Sequence, residues 1–344
     1  MNKYFSLSVC NLMENTSNSI TIYFKKPVLK KFIYNAGQYI ILKVYINGRK
    51  YSRAYSLSSS PFKSNDLSIT IKRIPGGIVS NYILNNVRIG DIYEVSEPIG
   101  SFVIDNVNFS NNIFFWTAGS GITPIYSILN ELLISSPSVQ VYLTYGNATK
   151  KDSIFLSELL DLSLKYKERF NLNLFFSRDQ EMLIENSFSG RINADYVKSY
   201  TLSCLNSIDT SKHFVCGPSE MKKMIIETLE NIGVSEESIF SEDFELTVNE
   251  QDLMEVIDSE VDLLVNGNEY KIFVKKGKTI LDGYLDEGID LPYSCQTGSC
   301  ETCKARILSG ETKMIGIKAK MELSKDEILL CCSFPLTNRV QIEI

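Results

Sequence analysis

The sequence is poor in the residues that acid–base enzymes and nucleic-acid-binding proteins depend on. Its 344 residues include one histidine, His213, and one tryptophan. His213 stands at the start of a predicted strand, where we expect a surface or edge position, and it is a poor candidate for catalysis. The formal net charge is −6, so the basic surface that phosphate backbones require is lacking and no nucleic-acid partner is expected.

Long apolar runs are also lacking. No stretch of about 18 apolar residues occurs, and the N-terminus has no charged and then apolar leader. We therefore expect no membrane span and a cytoplasmic location. Hydrophobic residues make up 44% of the chain and charged residues 22%, which is ordinary for globular domains and argues against disorder.

Cysteine, in contrast, is concentrated. Three of the eight cysteines stand in the segment CQTGSCETC at 295–303, with the spacing C-x4-C-x2-C. In a reducing compartment such clusters more often bind metals or carry redox chemistry than form disulfides. The spacing is typical of plant-type 2Fe-2S ferredoxins, whose fourth cysteine lies further along, and here Cys331 and Cys332 compete for that place. A structural zinc site is the alternative, although zinc sites more often pair two C-x2-C units.

The hydrophobic pattern divides the chain into three domains. Residues 1–106 contain short β segments separated by turn residues, which favours a small antiparallel β-barrel. In 107–245 apolar strands alternate with helical patterns, which indicates an α/β domain with a parallel sheet. The acidic segment 246–260 is interpreted as a linker, and 261–344 form a small α+β module.

The C-terminal module resembles plant-type ferredoxin domains. LPYSCQTGSCETCKARILSG matches their cluster loop and LLCCSFPL their later cysteine block. The resemblance implies a β-grasp fold and a 2Fe-2S cluster. In that family a proline follows the fourth ligand by four positions, as Pro335 follows Cys331, so Cys332 is expected to be a buried neighbour. The expected cluster ligands are Cys295, Cys300, Cys303 and Cys331.

The first two domains resemble the ferredoxin-NADP reductase superfamily. RAYS at 53–56 matches the R-x-Y-S flavin motif, and IKRIPGGIVSNYI resembles the second FAD segment. By this resemblance Arg53 binds the FAD pyrophosphate and Ser56 lies near flavin N5. Alone, these stretches would suit an ordinary strand and a Pro-Gly-Gly hairpin turn. The expected FAD-binding residues are Arg53, Ala54, Tyr55, Ser56, Ile71, Lys72, Gly77, Val79, Ser80 and Phe244.

Two further segments resemble the nicotinamide site of that superfamily. WTAGSGITPIYSIL matches the pyrophosphate loop, with Gly119, Gly121, Thr123 and Pro124 as the expected cofactor-binding residues. VCGP places Cys216 against the nicotinamide, unless it is an ordinary buried cysteine. With Ser56 and Glu242, Cys216 completes the expected catalytic set.

The nicotinamide preference rests on Ser177 and Arg178, which follow the third predicted strand of the α/β domain. NADP-dependent members of the superfamily often carry such a pair for the 2′-phosphate, and a guanidinium suits phosphate. Asp179 could repel that phosphate or pair with Arg178, so NADPH is preferred and NADH stays open.

This domain order resembles the reductase components of bacterial oxygenases. YGNATKKDSIFLSEL and GGIVSNY resemble most the reductases of phenylacetyl-CoA epoxidase and of steroid hydroxylases. The resemblance implies an NAD(P)H-dependent oxidoreductase that passes single electrons through FAD and the cluster to an oxygenase. A desaturase, a flavodoxin, a ferredoxin or a hybrid-cluster protein is the alternative acceptor. A non-enzymatic protein that binds zinc or a partner is the alternative of a different class.

Overall fold

The fold is described from a computed structural model, which covers residues 4–26, 32–61, 66–104, 112–179, 184–205, 211–246, 248–265, 267–289, 291–317 and 323–344. The chain divides into two compact units. The first comprises Met1–Leu42 and Tyr55–Glu242, and the second comprises Lys43–Ala54 and Asp243–Ile344.

Six N-terminal strands form an antiparallel sheet in the order β4-β3-β6-β1-β2-β5. They are β1 (Tyr4–Thr16), β2 (Ser19–Phe24), β3 (Tyr39–Ile46), β4 (Arg49–Ser56), β5 (Leu67–Lys72) and β6 (Ile92–Ser96), with helix α1 (Ile78–Asn86) between β5 and β6. After β4, Leu57 bridges Ile69 of β5, and the Ser58 N–H donates to Ser68 O at 2.8 Å. These contacts close the sheet, so the predicted antiparallel barrel is confirmed.

A parallel sheet follows in the order β10-β9-β8-β7-β11-β12. Its strands are β7 (Asn112–Ala118), β8 (Gln140–Asn147), β9 (Phe170–Phe176), β10 (Ser187–Ser189), β11 (Ser211–Cys216) and β12 (Ile239–Glu242). The helices are α2 (Ile122–Ser135), α3 (Leu156–Lys165), α4 (Ala194–Cys204) and α5 (Ser219–Asn231). Two buried apolar clusters contain residues from alternate positions of its central strands, which explains their nearly continuous hydrophobic sequences. The predicted parallel α/β domain is confirmed.

His213 is buried in this sheet, so its predicted surface or edge position is wrong. It lies on β11, which has β7 and β12 as neighbours, and its side chain is fully buried. Trp116 Nε1 donates to His213 Nδ1 at 3.2 Å, so Nε2 carries the proton and faces Ser211 Oγ at 3.0 Å. The ring also stacks on Phe114. Burial lowers the pKa of His213 to about 3, and the imidazole is a neutral core group.

The C-terminal residues form a five-stranded mixed sheet in the order β14-β13-β19-β15-β17, and β16 pairs with β18. The strands are β13 (Ser259–Val265), β14 (Asn268–Val274), β15 (Lys304–Ser309), β16 (Thr312–Met314), β17 (Glu327–Leu329), β18 (Ser333–Pro335) and β19 (Arg339–Glu343), with helix α6 (Ile280–Asp286) after β14. The hairpin strand β13 runs parallel to the last strand, β19. This arrangement confirms the predicted β-grasp module.

The domain limits given above remain predictions. The limit at 106–107 falls outside the described residues. The proposed linker 246–260 contains a 3₁₀ turn at Glu250–Leu253, which begins with a capping box between Asn249 and Asp252. Within the described ranges, no helix combines the length and apolar composition needed to cross a membrane.

Candidate redox sites

Three polar side chains meet at the carboxyl edge of the parallel sheet. In the register of β7, β11 and β12, Cys216 stands beside Thr117 on one side and Glu242 on the other. All three lie at or next to the last residue of their strand. In open parallel sheets, ligands bind outside the carboxyl ends of the strands, so this row is placed where a cofactor would lie.

Burial controls the charges of this row. It raises the pKa of Glu242 to about 8, while the nearby Lys222 ammonium opposes this effect without cancelling it. Burial and the Glu242 carboxylate both raise the pKa of the Cys216 thiol. Lys222, on α5, is 1% exposed, and its Nζ donates to the backbone carbonyl oxygen of Glu242 at 2.9 Å. At neutral pH the site therefore holds a protonated carboxyl group and a thiol rather than two anions.

Some polar atoms in the first unit have unused hydrogen-bonding capacity. Ser56 Oγ, Thr117 Oγ1 and Glu242 Oε2 are buried, and none has a hydrogen-bond partner among the described residues. Buried polar groups are normally satisfied, so such atoms commonly mark a place for a ligand or water. A flavin and a nicotinamide carry the ring nitrogens, carbonyls and amide that would satisfy them, so these residues fit the expected cofactors.

The glycine loop after β7 is shaped by contacts within the protein. It forms a 3₁₀ turn at Gly119–Gly121 and then enters α2, which has no side-chain cap. A Cβ on Gly121 would lie 2.3 Å from Cys216 O, so only glycine fits there. Thr123 Oγ1 donates to Ser120 O at 3.0 Å, and the Tyr145 hydroxyl lies 3.2 Å from Gly119 O. The fixed loop presents the uncapped helix N-terminus, a favourable place for an anion.

Lys72 brings a predicted flavin residue next to the predicted nicotinamide loop. Its Nζ lies 3.5 Å from the position that a Cβ on Gly119 would take. Ile71, the preceding residue, is buried, as are the other residues of β5 before Lys72. Lys72 thus supplies a cation beside the glycine turn.

The second predicted flavin segment is held by its own side chains. Gly77 begins α1 without a side-chain cap, and Val79 is buried. Ser80 Oγ accepts a hydrogen bond from the Ile74 N–H at 3.2 Å, and Asn81 Nδ2 donates to Ile74 O at 2.9 Å. Ser80 therefore shapes the turn with its side chain, and the backbone N–H groups of the first helical turn remain for a phosphate.

The R-x-Y-S motif occupies the end of β4. Arg53, Ala54 and Tyr55 are half-buried, whereas Ser56 is buried. The Arg53 guanidinium donates from Nη1 to Ser52 O at 2.8 Å, which leaves further donors of its fork for a ligand. Phe244, the other predicted flavin residue, is 43% exposed.

Ser177 and Arg178 follow β9 at the same carboxyl edge of the parallel sheet. Their backbone N–H groups donate to Asn147 O at 3.0 Å and Ala148 O at 2.9 Å, so the two loops are joined and both side chains are exposed. Asp179 Oδ2 accepts from the Lys150 N–H at 2.7 Å. The Asp179 carboxylate thus has a backbone donor, which weakens the objection that it blocks a phosphate beside Arg178.

In the second unit, the loop that carries Cys295 and Cys300 wraps around sulfur. Thr297 N–H and Ser299 N–H donate to Cys295 Sγ at 3.4 and 3.3 Å, and Cys295 N–H donates to Cys300 Sγ at 3.4 Å. The wrap needs left-handed backbone at Gln296, Gly298 and Glu301. Such N–H···S contacts stabilise thiolates and suit an iron–sulfur cluster.

The four predicted ligand thiols form one connected group, in which Cys295 adjoins both Cys300 and Cys331 and Cys331 adjoins Cys303. Cys295 hydrogen bonds with Cys300, which lowers the pKa of Cys295 and raises that of Cys300. The contact with Cys331 lowers the pKa of Cys303, whereas contacts with Cys295 first and then with Cys303 raise the pKa of Cys331. Cys332 is fully buried, adjoins Cys331 and donates to Leu329 O at 3.4 Å.

No three His, Cys, Asp or Glu side chains in the described part of the chain are arranged around a single metal ion. The four predicted ligand thiols nevertheless adjoin one another. Four cysteine thiolates are what a 2Fe-2S cluster requires.

Comparison with known proteins gives a consistent result for each part of the chain. The oxidoreductase FAD-binding domain family matches residues 9–104, the oxidoreductase NAD-binding domain family matches 115–227, and the 2Fe-2S iron-sulfur cluster binding domain family matches 263–336. The chain is 30% identical to a 1,2-phenylacetyl-CoA epoxidase subunit from Escherichia coli K12, covering 100% of this chain and 98% of that protein. The chain belongs to this family of FAD- and NAD-binding oxidoreductases with a C-terminal 2Fe-2S domain.

Other similar proteins support the same family assignment for the reductase. It is 29% identical to the ferredoxin reductase component of 3-ketosteroid-9-alpha-monooxygenase from Rhodococcus rhodochrous, over 98% of this chain and 96% of that one. Phthalate dioxygenase reductase has the same fold, with a TM-score of 0.70 at 20% identity, over 99% of this chain and 98% of that one. The reductase is thus an oxidoreductase whose cofactors are FAD, a nicotinamide nucleotide and a 2Fe-2S cluster.

Two residues of the sheet-edge site were not selected from the sequence. Thr117 stands inside the segment WTAGSG, whose glycines carry the resemblance to the nicotinamide loop. Lys222 belongs to SEMKKMIIETLEN, whose polar residues suggest a solvated helix face. The first could have been found from its place at the strand end, whereas nothing in the sequence distinguishes the buried Lys222 from the exposed Lys223.

Proposed function

We propose that the reductase is the electron-supplying component of an oxygenase, taking hydride from NAD(P)H and delivering single electrons. The observation that carries this proposal is the presence of two sites in one chain: the Thr117–Cys216–Glu242 row and the group of adjoining thiols formed by the cysteine loop and Cys331. When bound, the nicotinamide supplies two electrons as hydride, the flavin passes them on singly, and the cluster carries one at a time.

In this proposal the chain binds the flavin from several sides. Arg53 holds the pyrophosphate through its free guanidinium donors, and the first turn of α1 holds it through backbone N–H groups. Tyr55 packs on the ring system, and Ser56 donates its unpartnered hydroxyl toward the ring. Ala54, Ile71, Lys72, Gly77, Val79, Ser80 and Phe244 complete the proposed flavin site.

The nicotinamide is oriented by the glycine loop and the sheet edge. Gly119, Gly121, Thr123 and Pro124 form the turn into α2, where a pyrophosphate is favoured. Cys216 packs against the reacting ring, and a protonated Glu242 can donate a hydrogen bond to it or to the flavin. Orientation and water exclusion are the chain's contribution, since hydride transfer needs no general base.

NADPH is the proposed nucleotide. The exposed side chains of Ser177 and Arg178 support this choice, because a guanidinium and a hydroxyl together suit the 2′-phosphate. Asp179 does not argue against it, since its carboxylate accepts from the Lys150 N–H.

The cluster ligands in this proposal are Cys295, Cys300, Cys303 and Cys331. The acceptor is an oxygenase, in line with the epoxidase and monooxygenase named for the relatives. A cytoplasmic location is part of the proposal, and it is supported by the four cysteines outside the proposed ligand set, which form no disulfide among the described residues.

An anaerobic experiment separates hydride entry from electron exit. Titrating the purified protein with NADPH should bleach the flavin bands and then the cluster bands. Adding an oxygenase component from the same organism should restore the cluster bands. Cys331→Ser should still reduce a small two-electron dye and should fail to reduce the oxygenase. Reoxidation by a flavodoxin but not by any oxygenase would refute the proposed acceptor.

A further inference from the structure

A hydrogen bond in the second unit joins the segment before the cluster loop to the strand of the flavin motif. The Ser52 N–H donates to the Tyr293 hydroxyl oxygen at 3.2 Å. Both residues are 3% exposed, so solvent does not compete for this contact. They are 241 positions apart in sequence, and the segment Lys43–Ala54 forms one compact unit with Asp243–Ile344.

The position of Ser52 explains why this contact is needed. β4 stands at the end of the sheet order with β3 as its neighbour, and the contacts that close the sheet begin only after it, at Leu57. Edge strands carry backbone N–H groups that no neighbouring strand satisfies, and a buried one requires another acceptor. Tyr293 supplies that acceptor with the end of a rigid side chain.

Both backbone polar groups of Ser52, the N–H and the carbonyl, are hydrogen bonded. Its carbonyl accepts from Arg53 Nη1 at 2.8 Å, while its N–H donates to Tyr293. Arg53 is the proposed pyrophosphate ligand, and Tyr293 precedes Cys295 by two positions. One backbone residue therefore connects the group proposed to hold FAD with the loop proposed to hold the cluster.

We infer that Tyr293 is a positioning residue, whose hydroxyl fixes the cluster loop against the flavin-binding strand for electron transfer between the two cofactors. The inference rests on the proposed electron route. Electron transfer depends steeply on distance and orientation, so loosening the contact should slow this step without affecting hydride entry.

The matched control is Tyr284. It is also buried, and its hydroxyl donates to Val261 O at 2.9 Å inside the β-grasp core. Tyr284→Phe thus removes a buried hydroxyl of the same module without touching β4.

The experiment compares Tyr293→Phe with Tyr284→Phe in the full-length protein with its cofactors bound. Amide hydrogen exchange is measured at Ser52, and stopped-flow absorbance separates flavin reduction by NADPH from cluster reduction. Tyr293→Phe should speed exchange of the Ser52 amide by about tenfold, the effect of losing one buried hydrogen bond. It should slow cluster reduction by at least about threefold and leave flavin reduction unchanged. Tyr284→Phe should change neither.

Other results would overturn the inference. Unchanged Ser52 exchange in Tyr293→Phe would show that the hydrogen bond does not hold the strand. Equal slowing by both variants would show a general loss of stability, and loss of the cluster from Tyr293→Phe would make the hydroxyl a folding group. Failure of the unmodified protein to reduce its cluster would instead refute the proposed function.

Discussion

Because of Glu242, the free energy of unfolding of the first unit, which contains the parallel sheet, should fall as the pH rises. The unfolded chain releases the Glu242 proton near its ordinary pKa of 4.5, whereas the buried carboxyl keeps it until about pH 8. Between these pH values Glu242 is ionised in the unfolded chain but still protonated in the folded chain. Each rise in pH therefore favours the unfolded chain and lowers the free energy of unfolding. At about 1.4 kcal/mol per pH unit, the interval corresponds to at most about 5 kcal/mol.

Glu242→Gln keeps the shape of the side chain and removes this titration. The flavin-free variant should therefore become progressively more stable than the wild type between pH 5 and pH 8. Trp116, the only tryptophan, is fully buried on β7, and its fluorescence during urea unfolding measures this unit directly. Even a third of this maximum difference in the free energy of unfolding is large enough for urea unfolding to resolve.

The control is Glu230→Gln on the exposed face of α5. The Glu230 side chain is exposed, so this variant controls for replacing a glutamate of the same unit at a position outside the buried row. A difference between Glu242→Gln and wild type that stays constant from pH 5 to pH 9 would refute the reasoning, since Glu242 would then ionise normally in the fold.

Three further predictions, which use four substitutions, test separate parts of the molecule. Cys331→Ser should bleach the cluster absorbance and keep FAD, whereas Cys332→Ser should keep both, and the reverse pattern would move the fourth ligand to Cys332. Arg178→Ala should raise the KM for NADPH about tenfold or more and leave that for NADH unchanged, and equal damage to both would argue against a phosphate contact. His213→Asn should reduce the loss of stability that the wild type shows as the pH falls from 6.5 towards 3, because only the unfolded chain protonates His213 there. Acid unfolding followed by Trp116 fluorescence checks this, and identical acid slopes would contradict it.

The sequence predicted the architecture well because each domain has its own pattern. The change from short β segments to alternating strands and helices, and then to the cysteine loop, follows local periodicity and spacing. Cys295, Cys300 and Cys303 could be grouped because they are close in sequence. Cys331 required the family resemblance, since the sequence alone left it in competition with Cys332.

What the sequence could not predict depends on strand order and side-chain direction. His213 reads as an edge residue until β11 is known to lie between two strands and Trp116 is known to donate to its ring. Lys222 and Lys223 are adjacent lysines, and only the packing of α5 shows which is buried. The contact between Ser52 and Tyr293 joins distant segments for which no sequence pattern exists.

The 2.3 Å clearance beside Gly121 sets a limit on redesign of the nucleotide site. Any side chain there must push the turn after β7 away from the Cys216 carbonyl, and with it the row of groups proposed to face the nicotinamide. A library that seeks a different coenzyme preference should therefore keep Gly121 invariant and vary Ser177 and Arg178, whose exposed side chains can change without moving a strand. Evolution faces the same division: substitutions at Gly121 displace neighbouring backbone, whereas the exposed pair proposed to select the nucleotide can vary without such displacement.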